Sequence, residues 1–67
     1  MKEYCVQYGI YSKHGAILGV EDDSFEAMDD EEAIEEALDR ANAMEDYYPC
    51  VMVDSLEDEE GNELKVY

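Results

Sequence analysis

Every second residue from position 4 to position 10 is apolar or aromatic, namely Tyr4, Val6, Tyr8 and Ile10. This period of two predicts a β-strand with one face toward a core. Ser12 and Gly15 fit the ends of a tight turn, so residues 16–20 are expected to return as a second strand. Residues 24–27 are expected to continue that strand past an acidic break at 21–23, which is either a bulge or a loop.

Residues 29–44 carry the signals of an amphipathic helix. Asp29 fits an N-cap, and Glu32 three residues later gives the pattern of a capping box. Apolar residues then recur at helical spacing, namely Ala33, Ile34, Ala37, Leu38, Ala41 and Met44. This stripe is expected to lie on the sheet, where its alanines allow close approach. The helix is expected to end before Pro49, because the residue that precedes a proline is disfavoured in helical geometry.

The remainder of the chain predicts a second hairpin. Residues 50–56 read as a strand, residues 57–62 as a turn with Gly61 at positive φ, and residues 63–67 as a last strand. The predicted fold class is therefore α+β. The chain forms a single small domain, residues 1–67, with the order β-β-α-β-β and an antiparallel sheet that one helix covers on one face.

Length and composition predict a small folded protein of modest stability. The chain has 67 residues, of which 46% are hydrophobic, a fraction typical of globular proteins. A domain of this size buries only about 60% of the surface that its unfolded chain exposes. No apolar run approaches the roughly 18 residues of a membrane span, and residues 1–10 lack the features of a signal peptide. We expect a cytoplasmic protein with no membrane association.

Two cysteines and one histidine are the candidates for redox or metal chemistry. In the absence of a secretory signal, Cys5 and Cys50 are expected to be reduced, buried residues, with a bridge between two strands as the alternative. Together with His14 they make a conceivable zinc set, but structural zinc ligands usually occur in close pairs. The sequence thus predicts no metal and no cofactor.

Charge is distributed unevenly along the chain, whose formal net charge is −16. Residues 1–20 are close to neutral, whereas residues 21–46 carry thirteen acidic residues and only one basic residue, Arg40. The predicted helix carries several of these on the side away from its apolar stripe, namely Glu31, Glu32, Glu35, Glu36 and Asp39. The helix dipole favours carboxylates only in the first turn. Like charges four residues apart each cost about 0.2–0.5 kcal/mol, so this face needs another explanation.

A basic partner would explain a surface that keeps such repulsion. Carboxylates on one helical face lie about 5–6 Å apart at their β-carbons, which is similar in scale to the spacing of phosphates along nucleic acid. The row can therefore mimic nucleic acid in a cationic groove and speed association with it. Two further acidic clusters, at residues 21–23 and 57–60, extend the row if the fold brings them to the same side.

The six tyrosines add a second element to the predicted site. Tyr4 and Tyr8 are expected to pack in the core with their hydroxyls at its edge. Tyr47 and Tyr48 follow the helix and are expected to close its end onto the sheet, with a role as aromatic anchors as the alternative. The predicted partner-binding residues are Glu31, Glu32, Glu35, Glu36, Asp39, Asp22, Asp23, Asp58, Glu59, Glu60, Tyr47 and Tyr48.

In size, acidity and α+β pattern, carried by "DDEEAIEEALD" and "EDEEGNE", the chain resembles small acidic phage proteins that inhibit host defence. These include anti-CRISPR proteins and anti-restriction DNA mimics. The resemblance is one of overall character without a family motif, so no contact residues transfer. It implies an inhibitor in the host bacterial cell, whose partner is a basic nucleic-acid-binding protein such as a Cas effector or a restriction enzyme.

Other readings of the same charge remain open. One alternative is a generic non-enzymatic interaction or accessory domain with a solvated acidic surface, and another is adaptation to internal salt. An enzyme is disfavoured, because the single histidine lies in a predicted turn and the carboxylates lie on a solvated face. Direct nucleic-acid binding is opposed by the sign of the charge. We expect a monomer, with a dimer through the edge at residues 63–67 as the alternative.

Overall fold

The computed structural model describes residues 1–66. It contains three strands and one helix, namely β1 (Lys2–Tyr11), β2 (Ile17–Ala27), α1 (Asp30–Met44) and β3 (Cys50–Asp58). The strands form one antiparallel sheet in the order β2-β1-β3. The predicted α+β class is confirmed, as is the position of the helix between the second and third strands.

The core lies between α1 and one face of the sheet. The central strand β1 contributes four buried residues, namely Tyr4, Val6, Tyr8 and Ile10. The helix contributes a stripe of fully or nearly fully buried alanines, namely Ala33, Ala37 and Ala41. Because alanine side chains are short, the helix backbone can approach the sheet closely. This apolar face therefore fixes α1 with its opposite side toward solvent.

The predicted last strand is reduced to a single bridge. Glu63 pairs with Glu57, and the Leu64 amide donates to the Leu56 carbonyl oxygen at 2.8 Å. Leu64 and Val66 instead turn half-buried onto the core, where they cover apolar surface that a longer ladder would leave open. The order of elements is thus β-β-α-β, and Tyr67 lies outside the described residues.

The acidic residues 21–23 do not interrupt β2. They pair one for one with residues 6–8 of β1, so neither a bulge nor a loop occurs there. The strand continues because β2 lies at a sheet edge, where Glu21 and Asp22 are exposed, while Asp23 pairs with Arg40 of the helix. A register shift occurs earlier, between Ile10 and Tyr11.

A second register shift reverses the alternation of β3. Gln7 of β1 pairs with Ser55, but the next residue, Tyr8, pairs with Val53. Asp54 is therefore an extra residue with no partner in β1. A bulge shifts the alternation of side chains by one residue. Leu56 therefore faces the core after the bulge, whereas Val51 and Val53 face it before the bulge. As a result Met52 faces away from the helix.

Candidate partner-binding surface

The N-terminus of α1 is capped as its sequence predicts. The Asp29 Oδ1 atom accepts a hydrogen bond from the Glu32 amide at 2.9 Å. The Glu32 Oε1 atom in turn accepts from the Met28 amide at 3.2 Å. The first bond satisfies an amide that the helix itself leaves unpaired, and the second satisfies the amide of the residue before the N-cap. Glu32 is therefore partly committed to the fold rather than to a partner.

The outward face of α1 carries a row of uncommitted carboxylates. Glu31, Glu35 and Asp39 are all exposed, and none forms a hydrogen bond or ion pair with any residue in the described range 1–66. They lie four residues apart, so successive members are about 6 Å apart along the helix axis. We call these three residues the acidic row. The pairwise repulsion that the sequence predicts is concentrated here.

Arg40 neutralises two of the predicted binding residues. Its Nη1 atom lies 2.8 Å from Asp23 Oδ2, and its Nε atom lies 3.1 Å from Glu36 Oε1. The guanidinium carbon also lies 5.0 Å from the centre of the Phe25 ring, within the range of a cation–π interaction. These contacts raise the pKa of Arg40, through its hydrogen bonds to Asp23 and then to Glu36. Asp23 thus joins β2 to the helix through Arg40, Glu36 pairs with Arg40 within the helix, and neither carboxylate is a free charge.

Substitution Arg40→Met is expected to lower the free energy of unfolding by about 1–2 kcal/mol. The substitution removes both ion pairs and the contact with Phe25, and it leaves two like charges facing each other. The side chain of Arg40 is 39% exposed, so each ion pair alone contributes at most about 1 kcal/mol to stability. Urea unfolding at constant salt measures the change.

Lys13→Met is the matched control for this substitution. Lys13 is exposed in the turn between β1 and β2, and its loss changes the net charge by the same amount. We expect a change of no more than about 0.5 kcal/mol. Equal destabilisation by both variants would mean that net charge, rather than the local contacts of Arg40, sets stability.

One end of the molecule brings two acidic segments together. Tyr4 pairs with Asp58 in the sheet, and its hydroxyl donates to Asp30 Oδ1 at 2.8 Å. Burial, the hydrogen bond and charge of Asp30, and the charges of Asp29 and Asp58 raise the pKa of Tyr4 to about 12. We call residues 29–32 and 58–60 the acidic pole. The turn after β3 therefore lies at the same end as the start of the acidic row.

Asp58 itself organises the turn of the acidic pole. Its Oδ1 atom accepts from the amides of Glu60 and Asn62, both at 2.9 Å, and its Oδ2 atom accepts from the Asn62 side chain at 3.2 Å. The hydrogen bonds from Asn62 and Glu60 hold the pKa of Asp58 below its usual value. Gly61 has a φ of 86°, which confirms the predicted positive φ. Glu59 and Glu60 remain exposed and extend the negative surface.

Three of the predicted residues lie away from this surface. Asp22 faces the side of the sheet opposite the helix, in register with Gln7. Tyr47 and Tyr48 follow the C-terminus of α1, at the end opposite the acidic pole. Tyr48 is half-buried against the core, whereas Tyr47 is 84% exposed. The expected lid is therefore formed by Tyr48 alone.

The sheet face away from the helix carries two neighbouring exposed apolar residues that the sequence pattern does not predict. Val20 and Met52 pair with Gly9 from either side, and they are 51% and 57% exposed. Met52 lies outside the core, because the bulge at Asp54 turns its side chain to the sheet face away from the helix. The signal in the sequence was Asp54, which a regular alternation from Leu56 would place on the buried face.

The two cysteines are too far apart to form a disulfide bridge between strands. Cys5 is in register with Glu57, and Cys50 with Tyr11, which puts them about 20 Å apart along the strands. Both are free thiols, and Cys5 is exposed rather than buried as expected. Within residues 1–66, no three His, Cys, Asp or Glu side chains are grouped to hold a metal ion.

None of the helical structure in residues 1–66 has the length and apolarity that a bilayer crossing requires. No protein-family model, curated protein or solved structure matches the chain.

Proposed function

We propose that this protein is a small acidic inhibitor, encoded by a phage, that binds the nucleic-acid-binding cleft of a host defence nuclease by nucleic-acid mimicry. The class of target is a CRISPR-Cas effector or a restriction enzyme. The observation that supports the proposal is the acidic row of Glu31, Glu35 and Asp39, whose members are exposed and have no ionic partner among residues 1–66.

The energetics of the acidic row favour a binding role over a solvating one. Glu31 and Glu35 repel each other, as do Glu35 and Asp39, at about 0.2–0.5 kcal/mol per pair. Glu32 and Glu36, by contrast, are relieved by the Met28 amide and by Arg40. The fold thus offsets repulsion elsewhere on the helix and leaves it in this row. Lysine or arginine side chains of a partner would relieve it.

The shape of the charged surface fits a cleft built for a phosphate backbone. The acidic row presents charges about 6 Å apart on a rigid helix, and the exposed Glu59 and Glu60 lie at the end of the molecule where this row begins. A cleft lined with basic residues would meet this surface with complementary potential, which raises association rates. Since the contacts are between exposed charges, binding should weaken steeply with salt.

A charge-reversal variant tests the proposal. The variant Glu31→Lys, Glu35→Lys, Asp39→Lys changes the net charge by the same amount as a control variant, Glu3→Lys, Glu57→Lys, Glu63→Lys. The control residues are exposed and lie outside the acidic row and acidic pole. Each immobilised protein is exposed to bacterial lysate over a salt gradient, and the retained proteins are identified and assayed for inhibition.

We expect the unaltered protein and the control variant to retain a basic nucleic-acid-binding enzyme, which salt elutes. The variant in the acidic row is expected to lose binding by at least about tenfold, or roughly 1.4 kcal/mol. It should keep its fold, because the substitutions relieve repulsion on an exposed face. Undiminished binding by that variant contradicts the proposal.

The alternative is a non-enzymatic interaction or accessory domain. It is favoured by the presence of carboxylates on the other side of the sheet as well, at Asp22 and Glu57, so that the acidity is not confined to one docking surface. Retention of no nucleic-acid enzyme at low salt, together with capture of a specific partner that lacks a basic cleft, would support this alternative.

A further inference from the structure

The outer edge of β2 is a second surface of a different kind. The sheet order leaves β2 with a neighbour on one side only, and at 11 residues it is the longest strand. The opposite edge of the sheet, on β3, is partly covered by residues 62–64. No strand within residues 1–66 pairs with the free side of β2. Such an edge presents unpaired backbone groups that can accept another strand.

The register determines which amides of β2 point outward. The Leu56 carbonyl accepts from the Leu64 amide, so it points away from β1. Alternation along β3 then directs the backbone groups of Glu57 toward its partner Cys5. The backbone amide and carbonyl of Cys5 therefore point to β3 and away from β2. Ser24, which pairs with Cys5, consequently directs its own amide and carbonyl to the free edge.

The period of two extends this orientation along the strand. The residues whose amides point to the free edge are Val20, Asp22, Ser24 and Glu26. The Ser24 amide is already satisfied, because it donates to Asp23 Oδ1 at 2.8 Å. This bond agrees with the outward orientation, since an amide in the ladder to β1 would be occupied. The amides of Val20, Asp22 and Glu26 are left for an added strand.

The side chains along this edge indicate what kind of strand it accepts. Asp22 and Glu26 are exposed on the sheet face away from the helix, next to the exposed Val20. Opposite charges in directly facing positions stabilise paired strands, and like charges destabilise them. A second copy of β2 would place acidic residues against acidic residues. A cationic strand with an apolar residue opposite Val20 is complementary.

We propose that the free edge of β2 binds an extended segment of a partner protein by strand addition, with lysine or arginine residues of that segment facing Asp22 and Glu26. Backbone hydrogen bonds to Val20, Asp22 and Glu26 hold the segment in register, and the charges select it. This inference goes beyond the proposed function, because it concerns a sheet edge and holds whether or not the acidic row enters a cleft.

Amide hydrogen exchange in the unaltered protein tests the inference directly. The probe is a synthetic peptide that alternates lysine and valine over about nine residues, a usual strand length, and the control peptide alternates glutamate and valine. At saturation the lysine peptide is expected to slow exchange at Val20, Asp22 and Glu26 by at least about tenfold. The glutamate peptide is expected to have no effect.

A pair of variants separates backbone bonding from charge. Asp22→Pro removes an outward amide without breaking the ladder to β1, as proline is tolerated at an edge, and is expected to raise the Kd for the lysine peptide at least about tenfold. Asp22→Asn keeps the backbone amide and removes the charge, and it should raise the Kd for the lysine peptide by no more than about threefold. If Asp22→Pro fails to fold, the exchange measurement alone decides.

Failure of this inference is distinguishable from failure of the proposed function. The variant with lysines in the acidic row should still show peptide-dependent protection of the β2 edge. The strand-addition proposal is overturned if the lysine peptide shifts only the resonances of Glu31, Glu35 and Asp39 without protecting edge amides. Equal binding of both peptides, or self-association through β2, overturns it as well.

Discussion

Replacing Leu56 with alanine is expected to lower the free energy of unfolding by about 3 kcal/mol, as for other buried leucines. Leu56 is completely buried and faces Val6 across the sheet. Its backbone carbonyl also holds the C-terminal segment through the Leu64 amide. A domain of this size has a total stability of about 3–10 kcal/mol. The loss is therefore a large share of the whole, and urea unfolding should show a much lower midpoint.

Met52→Ala is the control on the same strand. Met52 has a side chain of similar size but is 57% exposed, so its truncation is expected to cost about 0.5 kcal/mol or less. The two residues differ in burial because of the bulge at Asp54. An equal loss of stability in both variants would contradict the assignment of Leu56 to the core and of Met52 to the solvent-exposed face.

The second large effect is expected in alkaline solution. Burial first, and nearby carboxylates second, raise the pKa values of Tyr4 and Tyr8 to about 12 from an ordinary value of 10.0. Below pH 10 the tyrosines keep their protons in both states, so their contribution to stability is fully present. Between pH 10 and pH 12 only the unfolded chain releases them, which favours unfolding as pH rises. We expect cooperative loss of the fold in this interval, measured by far-ultraviolet circular dichroism.

Tyr8→Phe is expected to move this alkaline transition upward. The Tyr8 hydroxyl is buried and has no hydrogen-bond partner among residues 1–66, contrary to the expectation that it reaches the edge of the core. Its removal takes away both a titrating group and an unsatisfied one. At neutral pH the variant should therefore be more stable by about 1 kcal/mol.

Tyr47→Phe is the matched control for this substitution. Tyr47 is 84% exposed. Its replacement should change neither the stability at neutral pH nor the alkaline transition. An unchanged transition in Tyr8→Phe would mean that the buried hydroxyl does not set the alkaline limit. A lower stability at neutral pH would instead indicate that Tyr8 has a partner that matters.

These stability predictions also constrain how the proposed binding surfaces can be tested. The acidic row and the β2 edge are exposed, so their residues can be changed while Leu56, Tyr8 and the helix alanines keep the core intact. A loss of binding in those variants then reports on the surface. Loss of binding in Leu56→Ala would report only on the fold.

Local features of the fold could be predicted because they depend on neighbouring residues. The N-cap at Asp29 and the burial of Ala33, Ala37 and Ala41 follow from contacts within one or two helical turns. The alternation in β1 depends only on the period of a strand. The exposure of Glu31, Glu35 and Asp39 follows from the same helical geometry, since the opposite face is apolar.

The sequence by itself thus determined which helix face is acidic and which strand face is buried in β1. Only the tertiary structure decided that Arg40 neutralises Asp23, that the turn at residues 58–60 meets the start of the helix, and that Met52 faces solvent. The physical reason is that these features join residues distant in the chain, or depend on the register of paired strands. One extra residue in a strand reverses the direction of every side chain beyond it.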